Sequence, residues 1–208
     1  MLVGDSDVGK TKLADRIAND MYSQEKEASV GFFNNIIPMT INGRRVKVEL
    51  WDTMSTQSKL EYSKFYFRKS SGVILMYDAT NKQSFQNLSD WLNFIGNWRR
   101  HLDEVLSLKL VTTVIVGNKI DDTTQIAVNT VTAKDFAESQ KLKCYEVSAK
   151  TGEGVQPFFQ QLVESTSGSI LDIIKNQSAL LQYVTELESS LPKKLQEIKP
   201  QTKKKGCC

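Results

Sequence analysis

The sequence predicts an α/β domain, built as a six-stranded, mostly parallel sheet with one antiparallel edge strand and helices on both faces. Three observations predict it. From residue 73 onward, short apolar runs alternate with segments of helical spacing. Asn42-Gly43 lies between two runs of strand character, as the turn of a two-residue hairpin does. Gly4-Asp5-Ser6-Asp7-Val8-Gly9-Lys10-Thr11 fits the phosphate-binding pattern G-x-x-x-x-G-K-[ST], which joins a strand to a helix.

Taken in order, only Met1-Leu2-Val3 precede Gly4, too few for a full buried strand, so the first strand reads as truncated and the true start is expected upstream. Leu13, Ala14, Ile17 and Ala18 have helical spacing and predict a helix to about Asn19. Ile36, Ile37, Met39 and Ile41 read as a strand, and Pro38 within it argues for a sheet edge, where a missing N–H does no harm. Val46, Val48 and Leu50 alternate with Lys47 and Glu49 as the returning strand, which ends at Trp51-Asp52. Residues 53–60 read as a loop, followed by Tyr62, Phe65, Tyr66 and Phe67 at helical spacing. Residues 73–77 form an apolar strand ending in Asp78, and Phe85, Leu88, Trp91, Leu92 and Ile95 mark one amphipathic helix packed on the core. Residues 110–116 read as a buried strand, 133–139 as a helix, 144–147 as a short strand, and a last helix opens at Val155. In such sheets ligands bind beyond the carboxyl ends of the strands, and the polar motifs fall there: 4–11, Asp52, 118–121 and 148–150.

A chain of 208 residues with 40% hydrophobic content can bury one proper core and carry an appendage, divided here as 1–166 and 167–208. Residues 192–208 hold six lysines against Glu197, a net of +5, so the formal +3 of the chain leaves −2 on the body. A near-neutral body with a basic end points to a membrane surface and away from nucleic acid. Cys144, Cys207 and Cys208 make no disulfide framework and suggest a reducing compartment. Neither a secretory signal nor an apolar run long enough to span a bilayer is expected, so the body should be cytosolic.

The chemistry follows from the motifs. Successive loop N–H groups, including those of Asp7, Val8 and Gly9, would face phosphate oxygens; Lys10 would reach the β- and γ-phosphates, and the Thr11 hydroxyl could ligate Mg²⁺. In Asn118-Lys119-Ile120-Asp121, the Asp121 carboxylate suits the ring N–H and exocyclic amine of guanine, a donor pair that adenine lacks. The stem of Lys119 can lie over the base, Asn118 can bridge base and loop, and in Ser148-Ala149-Lys150 the Ala149 N–H could meet the guanine O6.

With these residues assembled, the chain resembles the Ras-like small GTPases and, more narrowly, the Rab family. The similarity runs through GDSDVGKT, KVELWDT, YFRKSSGVILMYDAT, QSFQNLSDWLNFI, VIVGNKID and VSAKTGEGV, and resumes at Cys207-Cys208. The resemblance implies the P-loop small-GTPase fold and a GTP/GDP switch with Mg²⁺, with switch segments at about 22–34 and 53–66. It places Tyr22 against the guanine, Ser29 on Mg²⁺ and the γ-phosphate, and Asp52 behind the metal. Exchange factor, GTPase-activating protein and effectors would meet the switch surface at Trp51 and Tyr66, with Asn34 where a third aromatic is usual.

The departures bear on activity. Asp7 stands where the family has glycine, adding a carboxylate whose repulsion at about 4 Å would be on the order of 4 kcal/mol in a surface-like dielectric, less if it turns to solvent. Ser55 replaces the glycine that grips the γ-phosphate, and Thr56 replaces the glutamine that orients the attacking water, so hydrolysis should be slow.

Residues 170–191 carry apolar side chains at steps of three and four, which fits a final helix folded on the body, a short coiled coil, or a disordered segment. The terminal Cys207 and Cys208 match the Rab pattern for double geranylgeranylation. Two lipid chains beside lysines meet the two-signal requirement for membrane attachment, and imply prenylation and membrane-extraction partners. The alternative is a non-catalytic, lipid-anchored adaptor whose switches ignore nucleotide. A nucleotide kinase is disfavoured, because those enzymes lack the NKxD and SAK pair.

Overall fold

Among the described residues six strands form: β1 (Leu2–Gly4), β2 (Phe33–Ile41), β3 (Arg44–Asp52), β4 (Gly72–Asp78), β5 (Thr112–Asn118) and β6 (Lys143–Glu146). They lie side by side in the order β2-β3-β1-β4-β5-β6 in the computed structural model, which describes residues 1–23, 33–53, 70–106 and 111–175. The β2–β3 pair is antiparallel and every other pairing is parallel. Asn42 and Gly43 both take left-handed φ, 50° and 74°, as the hairpin requires. Pro38 lies on β2 at the sheet edge, opposite Lys47, where its absent N–H leaves no ladder bond unmade.

The helices among the described residues are α1 (Lys10–Asn19), α2 (Lys82–Gln86), α3 (Leu88–Leu106), α4 (Thr130–Ser139) and α5 (Val155–Lys175). Strand alternation divides the core into two layers. Leu2, Ile74, Met76, Val114 and Val116 pack with Leu13 and Ile17 of α1 and with Phe158 and Leu162 of α5. Val3, Leu75, Tyr77 and Ile115 pack with Leu88, Trp91 and Ile95 of α3 and with Ala133 and Ala137 of α4. Helices therefore cover both faces, which is why β1, β4 and β5 read as unbroken apolar runs.

Three expectations are adjusted. The stripe 85–95 belongs to two helices: Asn81 caps α2 by accepting from Gln83 N and Ser84 N, and α3 starts afresh after Asn87, whose carbonyl accepts Trp91 N. Ile36 lies in β2 as expected and faces solvent, while the pleat turns Ile37, Met39 and Ile41 inward. β5 begins at Thr112 and runs to Asn118, later than the expected 110–116, with Leu110 outside the described residues. β1 pairs with β4 at all three residues but with β3 only at Leu2↔Asp52, so even this short strand is buried between neighbours.

Helix α5 runs unbroken past the boundary placed at 166/167 and takes in Ile170 and Ile173. The aromatic cluster 62–67, most of both switch segments with Ser29, Ser55, Thr56 and Tyr66, residues 176–191, and Cys207 and Cys208 lie outside the described residues.

Tyr77 is fully buried, its ring edge-on to Phe85 at 5.1 Å, and its hydroxyl finds no hydrogen-bond partner among the described residues. Desolvation raises the phenol's pKa. Removing an unsatisfied hydroxyl should not destabilise, so Tyr77→Phe is expected to leave the urea unfolding free energy unchanged or to raise it by about 1 kcal/mol. A loss of that size would mean that the hydroxyl has a partner.

Candidate functional site

The chain leaves β1 at the centre of the sheet, where later strands are laid to one side as β3 and β2 and to the other as β4, β5 and β6. Such a switch point opens a crevice at the strands' carboxyl ends. The loop 5–9 crosses it. Gly4, at φ 143°, lies so close to β4 that a Cβ would strike the Met76 carbonyl oxygen, and Gly9, at φ 93°, caps α1 where a Cβ would strike the Asn118 amide. Asp7 is also left-handed, at φ 64°, a conformation Asp tolerates better than most residues, and it is exposed. Turns of this handedness gather N–H groups into anion-binding concavities. The first turn of α1 carries no acidic residue to oppose an anion.

Lys10 is 5% exposed, and its ammonium donates to the carbonyls of Gly4 (2.9 Å) and Asp5 (2.6 Å). Burial pulls its pKa down to about 8, against the raising influence of Asp52, Asp5 and Asp7. That shift disfavours the charged form by about 3 kcal/mol, a deficit that a phosphate would offset. The Asp5 carboxylate is turned away, accepting from Trp91 Nε1 and Asn87 Nδ2, both at 2.7 Å. Across the crevice, Thr11 Oγ1 donates to Asp52 Oδ2 at 2.5 Å. Asp52 is 2% exposed, and its Oδ1 has no hydrogen-bond partner among the described residues. Desolvation raises the Asp52 pKa, opposed by the Thr11 bond and by Lys10.

At the other end of the rim, Asn118 donates through Nδ2 to the Val8 carbonyl (2.9 Å) and accepts through Oδ1 from Ala149 N (2.9 Å), tying the phosphate loop to the 148–150 loop. The Ala149 N–H is thus already bonded within the protein. Lys119, at φ 70°, donates to Asp78 Oδ2 at 2.6 Å, while Asp78 Oδ1 accepts from Thr80 N and Oγ1. Asp121 accepts from the buried Ser148 hydroxyl at 2.7 Å and lies 3.5 Å from the Lys150 ammonium. Arg16, from the last turn of α1, donates to the carbonyls of Ala149 and Lys150.

Of the residues singled out from sequence, Val8, Gly9, Lys10, Thr11, Asp52, Asn118, Lys119, Asp121, Ser148, Ala149 and Lys150 line this one edge of the sheet. Tyr22 is 38% exposed beyond the end of α1, and Trp51 is half-buried opposite Asn34 in the hairpin. Sequence reading missed Asp5, Asn87, Asp78 and Arg16 as structural partners of the rim. One signal was available: Trp91 lies in an apolar stripe, and a buried indole N–H needs an acceptor. Arg16, between Ala14 and Ile17, gave none.

Asn118→Ala would leave the Val8 carbonyl and the Ala149 N–H unpaired in a buried place. Unfolding free energy of the nucleotide-free protein in urea is expected to drop by about 3 kcal/mol. Unchanged stability would show that Asn118 does not tie the two loops.

A family model described as Ras family matches residues 1–167. Among curated proteins, the Ras-related protein Rab-18 of Caenorhabditis briggsae is 34% identical over 167 residues, covering 79% of this chain and 77% of that protein. The Ras-related protein Rab-18 of Lymnaea stagnalis is 35% identical over 168 residues, with the same shares covered. The phosphate loop, the strand-end Asp52 and the 118–121 and 148–150 loops all fall within the matched span, and the chain belongs to the Ras family, as a divergent Rab-like member.

Proposed function

We propose that the chain is a Rab-like small GTPase that binds GTP and GDP with Mg²⁺ and serves as a membrane-anchored switch in vesicle transport, with weak intrinsic hydrolysis. The observation that carries this reading is the rim itself. A buried, under-compensated Lys10 stands at one end, and an Asp121 carboxylate oriented by Ser148 stands at the other, tied together by Asn118.

Each residue has a physical part. Lys10 gives up its two carbonyl partners for phosphate oxygens and regains its full charge. Asp121, with Oδ1 held by Ser148 and Oδ2 3.5 Å from the Lys150 ammonium, offers its two oxygens to the two guanine N–H groups. The Thr11 hydroxyl and the buried Asp52 carboxylate suit a hard cation, because one carboxylate oxygen has no hydrogen-bond partner among the described residues. Magnesium held there would neutralise charge on the β- and γ-phosphates. Asp7 adds negative charge nearby, but its exposure lets solvent screen it. Ser29 keeps a hydroxyl for the γ-phosphate.

Ser55 and Thr56 support slow hydrolysis: positioning is most of what the protein contributes to this reaction, and Thr56 has no amide with which to orient water. The same two residues, with Asp7, favour a second reading, a lipid-anchored adaptor insensitive to nucleotide. Cys207 and Cys208 beside Lys203, Lys204 and Lys205 support attachment to the cytoplasmic face of a membrane through lipid. No helix among the described residues is long and apolar enough to cross one.

In single-turnover assays the unmodified chain is expected to hydrolyse bound GTP slowly, and Thr56→Gln to accelerate it about tenfold or more. Failure of the full chain to bind GTP at saturation would leave the adaptor. Binding should also be linked to protons. Phosphate raises the pKa of Lys10 from about 8, so calorimetry in buffers of different ionisation enthalpy should find proton uptake on GDP binding at pH 8.5. Little uptake from this group is expected at pH 6.5, where Lys10 is already protonated. Equal uptake at both would remove Lys10 from phosphate contact.

A further inference from the structure

We infer that Arg16 is a positioning residue for guanine recognition, acting from the end of the phosphate-binding helix opposite Lys10. The inference rests on the guanine-nucleotide reading above. Arg16 is 14% exposed in its side chain and spends its fork almost entirely on backbone. Nε donates to the Ala149 carbonyl (2.9 Å), Nη2 to the Lys150 carbonyl (2.8 Å), and Nη1 to the Asp20 carbonyl and carboxylate (2.9 and 3.0 Å).

These contacts complete a ring. The cap of helix α1 is Gly9, next to Val8, whose carbonyl accepts from Asn118; Asn118 holds the Ala149 N–H; Arg16 holds the Ala149 carbonyl and returns to α1. The Ala149 residue is therefore fixed through both of its backbone polar groups, and the neighbouring Ser148 hydroxyl is fixed with it. That hydroxyl orients Asp121 at 2.7 Å. A displacement of the loop would carry Ser148 away from Asp121, and the carboxylate would lose the orientation that a two-point contact with guanine needs. Two successive carbonyls suit a planar guanidinium, whereas a lysine ammonium is a point donor on a mobile stem. The Asp20 pair, exposed on its acidic side, adds little.

The test compares release of GDP and IDP from the full-length chain. Hypoxanthine lacks the 2-amino group, so the GDP/IDP ratio reads the second bond to Asp121 and is insensitive to phosphate contacts. Arg16→Ala is expected to speed GDP release about tenfold and IDP release less, moving the ratio toward that of Asp121→Ala. Arg16→Lys, which keeps the charge and the helix, should lie between Arg16→Ala and the parent. If either Arg16 variant speeds release of both nucleotides equally and keeps the parent's ratio, Arg16 is merely structural and the inference is overturned. A parent chain that does not prefer GDP, or an Asp121→Ala variant that keeps the preference, would instead refute the guanine reading, and the inference with it.

Discussion

Asn118 is the group on which the rest of the rim depends. Its amide is buried, so both of its ends must be paired, and it finds one partner in the phosphate loop and the other in the 148–150 loop. This works only because β5 ends beside β1's loop and because Gly9 has no Cβ to occupy the space of the amide. Two segments about 140 residues apart are thereby held in one geometry, and neither can shift without leaving a buried polar group unpaired.

Around that fixed point the site carries charges that the protein alone does not balance. Lys10 is desolvated and compensated mainly by carbonyl dipoles, while Asp52 is desolvated with one oxygen unbonded among the described residues. An anion on one side and a cation on the other would complete both, which is the electrostatic character of a metal–phosphate site. Asp5 shows the opposite treatment of a carboxylate. It is drawn toward α3 by the neutral donors Trp91 and Asn87, so its charge faces away from the concavity and only its carbonyl takes part.

Burial separates the residues of this edge. Lys10, Asn118 and Ser148 are buried, whereas Asp7 is exposed and accepts the left-handed turn that a glycine would take without strain. A chain about a third identical to the Rab-18 proteins keeps the Ras-family fold.

Much of this was legible from residue order alone. The phosphate loop, the Asn42-Gly43 turn and the alternation of strands with helices are local patterns, written within windows of a few residues, and they carried the fold, the sheet's antiparallel edge and most rim residues. Element ends were less legible: the pause at Asn87 depends on side-chain capping. Pairings across the chain were not legible at all. Nothing near Arg16 names Ala149, and nothing near Asp5 names Trp91, because a hydrogen bond between distant residues depends on where the packed sheet and helices bring them. Sequence by itself determined which groups could bind a phosphate and a base. Only the tertiary structure decided which of them hold one another in place, since that follows from burial and proximity rather than from spacing.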